Sequence, residues 1–354
     1  MIPAMRRIAF LLVLLGASTL CLGQTKGLHK WGEGLTDWSG YQLADPSQEE
    51  PVFTAYTFSK ERKTVRKDGI AYTYYDVTAA FRPALSWVRP EARTDAGLAG
   101  LRRDFDLLEY FARCYRDTLL TTGDKDGSIQ MEYLNRFQQA REQARGGDIP
   151  GYSLSDAPFD ITQRPWTTSR RGGGISLGAY GSVPLRSITN ILGPSVGATL
   201  GIERQWGRSV LLVDFSAAAH RIVRRYTGLW GLGKNEKMAP GALASLNYGF
   251  EAVSSRVVRL GLHAGPAFGG YLFSTLENPT CFIGGPGVTE GLYLDLILSR
   301  TASFVGSRPE MANTALRFRV YGSQLWSLQQ DGLIFPSVNL SISLHFHSHP
   351  LNLQ

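Results

Sequence analysis

The chain has 354 residues, 43% of them apolar, and a formal charge of +7, a composition that excludes a fully disordered protein. Mean hydropathy is -0.12, and the one long apolar run, Ile8 to Leu15, is too short for a spanning helix, so a helical membrane protein is excluded as well. The 39 glycines, with 17 Phe, 15 Tyr and 7 Trp, suit a chain built of strands and turns.

Residues 1–23 read as a signal peptide. Arg6 and Arg7 form its charged region, Ile8 to Leu15 its apolar core, and Cys21 and Gly23 are the small residues before a cut at Gln24. A lipoprotein anchor at Cys21 is disfavoured because Leu20 stands where that signal needs a small residue. The exported chain keeps Cys114 and Cys281, which are no disulfide framework for this length and read as free thiols.

Residues 24–165 form the first expected domain, with an α+β pattern. Val52 to Phe58 and Ile70 to Phe81 are rich in β-branched and aromatic residues and flank a charged hairpin closing near Lys67-Asp68-Gly69. Helices are expected over about Leu98 to Leu120 and Ser128 to Arg145, the first with Phe105, Leu108, Phe111, Ala112 and Tyr115 on one face. Between them, Thr122-Gly-Asp124-Lys-Asp126-Gly127-Ser128-Ile129 has the outline of a calcium loop. Thr122 and Tyr133 replace its first and closing acidic ligands, which favours a helix-joining turn.

Four stretches of this domain, Leu35-Thr-Asp-Trp-Ser-Gly40, Thr54-Ala-Tyr-Thr57, Ser86-Trp-Val88 and Phe105-Asp-Leu-Leu-Glu109-Tyr-Phe-Ala-Arg113, resemble a secreted zinc-protease-like domain of bacteria, common in the Bacteroidota. The resemblance covers about Trp31 to Leu120. It implies that an HExxH helix would place zinc histidines at Gly100 and Asp104 and a general base at Leu101. All three are absent here, and two imidazoles one helical turn apart plus the intervening carboxylate are what zinc hydrolysis requires. Asp104 and Glu109 remain as carboxylates, too few for a mechanism, so the resemblance implies a protease scaffold reduced to a binding or structural part.

The stretch Arg164-Pro-Trp-Thr-Thr-Ser-Arg-Arg-Gly-Gly-Gly174 combines a breaker with a glycine triplet, and residues 166–174 are read as a linker. Charge changes across it. Gln24 to Arg170 holds 20 Lys/Arg and 21 Asp/Glu, whereas Arg171 onward holds 15 and 9.

Residues 175–349 carry eight segments of period-2 alternation. Their apolar sets begin at Ile175, Val196, Leu211, Ala244, Val258, Leu292, Leu316 and Val338, and each is about as long as a tilted strand crossing a bilayer. A soluble sandwich is the competing reading. Against it stand long and short connections in alternation, and a polar face on which Glu203, Asp214, Glu251 and Asp295 are nearly balanced by Arg259, Arg317 and Arg319. Glycines and serines lie among those charges. That set fits a narrow lumen filled by paired side chains. The expected fold is therefore multidomain: a small α+β periplasmic domain followed by an eight-stranded antiparallel transmembrane β-barrel in the outer membrane, with its long loops outside. Ser337 to Phe346 resembles the amphipathic closing strand of such barrels.

Three further groups are candidate sites. Arg221, Arg224, Arg225, Lys234 and Lys237 gather in the second outer loop with Tyr226 and Trp230, a set able to meet lipopolysaccharide phosphates or to be an ordinary solvated loop. His345, His347 and His349 alternate to one side near the periplasmic mouth, as lumen groups rather than a metal site. Arg204, Arg208, Arg256, Arg300 and Arg308 cluster at the expected periplasmic turns. No cofactor or metal is expected and no nucleic-acid motif occurs. The expected partners are outer-membrane lipid, lipopolysaccharide and an envelope protein. The leading expectation is a noncatalytic envelope anchor or binding module. The alternative is an envelope hydrolase, working through residual metal-dependent activity in the first domain or lipid chemistry on the barrel.

Overall fold

The computed structural model describes residues 27–44, 50–122, 127–144, 154, 159–185, 192–223, 238–273, 281–306, 308–329 and 333–353. The signal peptide, the centre of the calcium-like loop, and Arg224, Arg225, Lys234 and Lys237 lie outside the described residues. The chain divides into two compact units, 1–63 with 74–160 and 305–307, and 64–73 with 161–304 and 308–354.

In the first unit, short strands β1 (His29–Lys30), β2 (Gln42–Leu43) and β3 (Val52–Phe53) precede a long hairpin of β4 (Tyr56–Lys67) and β5 (Ile70–Phe81), whose tip at residues 64–73 is counted with the second unit, followed by β6 (Trp87–Val88). The hairpin closes on Asp68 and Gly69 with φ of 53° and 75°, the positive pair that a two-residue turn matched to strand twist requires. The charged stretch after Phe58 continues β4 instead of ending it, because its side chains find partners across the hairpin. Lys63 Nζ donates to Asp76 at 2.5 Å.

Thr94 caps the first helix, its Oγ1 accepting from the Gly97 N–H at 3.0 Å, as expected of a side chain that satisfies an orphan donor. Helices α1 (Asp95–Thr122) and α2 (Ser128–Ala144) follow. The buried stripe of α1, including Phe105, Leu108, Phe111, Ala112 and Tyr115, packs with Phe58, Val77, Ala79 and Phe81 of the hairpin and Phe137 of α2 into one core.

The second unit is a closed ring. β7 (Trp166–Thr168) leads into β8 (Arg171–Pro184), β9 (Leu192–Trp206), β10 (Ser209–Ile222), β11 (Met238–Ser254), β12 (Val258–Phe273), β13 (Cys281–Ser303), β14 (Glu310–Trp326) and β15 (Ile334–Leu353). Each strand from β8 to β15 pairs antiparallel with the next, and β15 pairs back onto β8, with Leu344 opposite Leu177. Closure leaves no free edge. Short connections at 207–208, 255–257 and 304–309 lie at the end that also carries the start of β8 and the end of β15. Within this unit Ile70–Thr73 also run parallel to Arg300–Ser303 of β13.

Two boundaries differ from the sequence expectation. Of residues 166–174, read as a linker, Trp166–Thr168 and Arg171–Gly174 are strands. The last strand runs past 349 to Leu353, where Leu351 to Leu353 pair with Thr168 to Trp166. Gly172 and Gly174 are lumen positions rather than hinge positions, and Gly173 between them turns to the outer face, opposite Arg204 and Ser348. A Cβ at Gly174 would lie 2.6 Å from His345 Nε2 and 2.8 Å from the Phe346 carbonyl, and one at Gly172 would lie 2.6 Å from His349 Nδ1. These residues are small because the histidine rings of β15 fill the space beside them. The ring strands are also longer than the alternation suggested, from 14 residues in β8 to 23 in β13. About 9–11 residues suffice to cross a bilayer, so the strands extend beyond that requirement.

Candidate functional site

The wall of the ring is inverted relative to a soluble protein. Outward positions are apolar and exposed, among them Ile175, Leu200, Phe215, Leu262, Leu292, Leu340 and Phe346. Inward positions on the same strands are polar and buried, and none of Glu203, Asp214, Glu251, Arg259, Asp295, Arg317 or Arg319 is more than 5% exposed. Period-2 alternation permits this because every second side chain turns to the opposite face.

The structure brings those seven charges into two groups. Asp295 and Arg317 are direct partners in the β13–β14 register. Arg317 Nε and Nη2 donate to the two Asp295 oxygens at 2.6 and 2.9 Å, and its Nη1 donates to Glu203 Oε2 at 2.6 Å. Such bidentate, charge-assisted geometry compensates the desolvation of a buried guanidinium. Arg259 lies 3.4 Å from Asp295 and 3.7 Å from Glu251, and Glu251 accepts from Gln205 Nε2 at 2.9 Å. The Tyr293 ring packs 4.8 Å from the Arg317 guanidinium. In the second group, Arg319 Nη1 donates to Asp214 at 2.6 Å, with the Tyr321 ring 5.0 Å from its guanidinium.

The histidines join the first group. His345 ring nitrogens stand 3.5 Å from Glu203 and 3.4 Å from Asp295, and His347 Nε2 stands 3.4 Å from Glu203. Sequence reading put His345 and His347 on the lumen side but did not connect them to the carboxylates. It also missed His263, 3.4 Å from Arg319, and Tyr293 and Tyr321. The available signal was their place in the same inward series as Asp295 and Arg319. Among the described residues no cluster of three or more His, Cys, Asp or Glu side chains could hold a metal ion.

Beyond the charged layers the lumen is filled by neutral hydrogen bonds. Thr289 donates to Asn247 Oδ1 at 2.7 Å, and the Tyr180 hydroxyl donates to Asn339 Oδ1 at 2.7 Å. A cavity of about 20 Å³ remains beside Tyr180, His220 and Tyr271, room for one water molecule. The inside of the ring is a packed polar core.

In the first unit, the positions matched to a zinc helix lie on α1. Gly100 faces open space, Leu101 is buried in the core, and Asp104 accepts from Arg141 Nε at 2.6 Å. Glu109 is buried with both oxygens engaged, one accepting from the Ala79 N–H at 2.9 Å and the other from Arg113 Nε at 3.0 Å. These two carboxylates brace helix to helix and helix to strand. Beside Asp104, burial pushes the Tyr56 hydroxyl well above the usual tyrosine range. Cys114 is a free, half-buried thiol. Of the basic loop residues, Arg221 is exposed near the end of β10.

No protein-family model and no curated protein matches the sequence. Among solved structures, the chain is similar to Neisserial surface protein A, at 8% identity over 51% of this chain and 97% of that one, with a TM-score of 0.30. It is similar to Ail, the attachment invasion locus protein of Yersinia pestis, in complex with the heparin analogue sucrose octasulfate, at 14% identity over 50% of this chain and 99% of that one, TM-score 0.30. It is also similar to the outer membrane protein OprG from Pseudomonas aeruginosa, at 9% identity over 52% of this chain and 98% of that one, TM-score 0.28.

Proposed function

We propose that the chain is an outer-membrane β-barrel protein that works by anchoring and binding, with residues 24–165 as a periplasmic interaction domain for an envelope partner. The observation that carries this reading is the inverted wall. A closed ring with exposed Leu, Ile, Val and Phe outside and buried ion pairs inside is stable where hydrocarbon replaces water around it. In water the same wall would expose an apolar surface far larger than soluble monomers tolerate. The filled lumen argues for an anchor over a pore, since an eight-stranded ring has room only for its own side chains. Arg221, Arg224, Arg225, Lys234 and Lys237 are proposed to meet lipopolysaccharide phosphates. The first unit is proposed to be a zinc-protease-like scaffold reduced to a binding or structural part.

The test is heat-modifiable migration in gels together with partition into outer membranes. A folded barrel migrates differently before and after boiling and needs detergent to stay dissolved. A chain that is freely water-soluble after export, with unchanged migration on boiling, overturns the reading.

A further inference from the structure

One stretch of the outer wall is hollowed. At the short-turn end, Arg204 of β9, Gly173 of β8, Ser348 of β15 and Ala312 of β14 stand side by side in register, and only the arginine among them is large. They line a groove of about 800 Å³ that lies wholly within the second unit. One step along the strands toward the middle of the wall comes the exposed row of Ile202, Ile175 and Phe346. One step the other way are Trp206 and Arg171, both exposed. Two residues of a strand span only about 7 Å, so apolar wall and basic rim meet inside the same groove.

Arg171, Arg204 and Arg308 line this groove against one carboxylate, Glu310. A Cβ added at Gly173 would lie 3.9 Å from Arg204 Nη1, so that guanidinium leans over the glycine and into the hollow. Among the described residues neither Arg204 nor Arg308 has a hydrogen-bond or ion-pair partner, unlike Arg317 and Arg319 on the inner face. A guanidinium presents planar, paired donors that match the oxygens of a phosphate. The surplus of arginine over glutamate calls for an anionic ligand. Trp206 marks the depth, since outward aromatic residues of such barrels sit at headgroup level.

Resting on the reading of this wall as bilayer-facing, we propose that the groove holds one anionic glycerophospholipid of the periplasmic leaflet, with its phosphate between Arg204 and Arg308. Its acyl chains run along Ile175, Ile202 and Phe346. Strands β9 and β14 are separated by β8 and β15, roughly 14 Å across, a gap that two arginine side chains reaching inward narrow to the width of a phosphate. The apolar row beside them gives the chains a surface without a polar group to desolvate. A headgroup ammonium would stand among three arginines with only Glu310 to meet it, which disfavours a zwitterionic lipid.

The experiment titrates the full chain, folded in detergent micelles, with phosphatidylglycerol, phosphatidylcholine or inorganic phosphate, and counts the retained molecules by native mass spectrometry. One phosphatidylglycerol per chain is expected at concentrations where the other two are not retained. Arg204→Gln and Arg308→Gln should each weaken retention about tenfold, the scale of one charge-assisted hydrogen bond. Gly173→Leu and Ala312→Leu fill the hollow without removing an arginine and should weaken it as much. Arg256→Gln, at the 255–257 turn outside the groove, should leave retention unchanged. Equal retention of phosphatidylcholine, an equal loss in Arg256→Gln, or undiminished retention in both groove-filling variants overturns the proposal. Heat-modifiable migration of every variant separates that failure from failure of the membrane reading, in which the chain would stay dissolved without detergent.

Discussion

Arg317 holds both carboxylate oxygens of Asp295, directly opposite it across the β13–β14 pair, at 2.6 and 2.9 Å. Neither side chain reaches solvent, and Glu203 and Arg259 lean on the same pair. Removing Asp295 leaves the Nε and Nη2 donors of a buried guanidinium without their acceptors. Asp295→Ala is expected to cost about 3–5 kcal/mol of barrel stability, read as a lower urea midpoint for unfolding from micelles. Arg317→Met should cost more than Asp295→Leu, because it also takes from Glu203 its guanidinium partner, whereas Arg317 keeps Glu203 when Asp295 is removed.

Gly261 faces Tyr293 across the β12–β13 pair, and a Cβ there would fall 2.3 Å from the tyrosine ring. The ring cannot retreat freely, since the Arg317 guanidinium lies 4.8 Å from its centroid. Gly261→Val is therefore expected to destabilise by about 1–3 kcal/mol through overpacking. Adding Tyr293→Ala should recover part of the loss in the same unfolding measurement.

Glu109 links α1 to the Ala79 backbone of β5. Glu109→Ala leaves a buried N–H without a partner, at a cost of about 1–3 kcal/mol. The loss should appear in near-ultraviolet dichroism melts of the full chain. Elemental analysis is expected to find zinc below stoichiometry in both forms. Stoichiometric, chelator-sensitive zinc in the parent chain, lost in the variant, would return Glu109 to the role of a ligand.

Burial pushes the Cys114 thiol above its ordinary pKa, which lowers its thiolate fraction at neutral pH. Iodoacetamide should therefore alkylate Cys114 more slowly in the folded chain than in the urea-unfolded chain at the same pH. The difference should narrow as pH rises. Equal rates at neutral pH would show the thiol to be unshielded.

Much of the barrel could be read from the sequence because a strand has a fixed side-chain period. Leu340, Ile342 and Leu344 against Asn339, Ser341 and Ser343 leave two possible faces and one assignment of residues to them. The hairpin turn at Asp68-Gly69 and the apolar stripe of α1 were equally legible, being local signals.

What alternation cannot supply is which inward residue meets which. Arg317 bonds Glu203 across 114 positions and Arg319 bonds Asp214 across 105, distances along the chain that only ring closure and register convert into contacts. The glycine run at 172–174 shows the same limit from the other side. Its composition reads as a flexible linker, yet at Gly172 and Gly174 the histidines of β15 occupy the space a side chain would need, and that neighbour is known only once β15 returns to β8. The sequence by itself determined two faces, their chemistry and the number of strands, because those follow from a period of two. The tertiary structure decided which charge on the inward face meets which, because ring closure and strand register set the neighbours and each buried charge must find its counterpart among them.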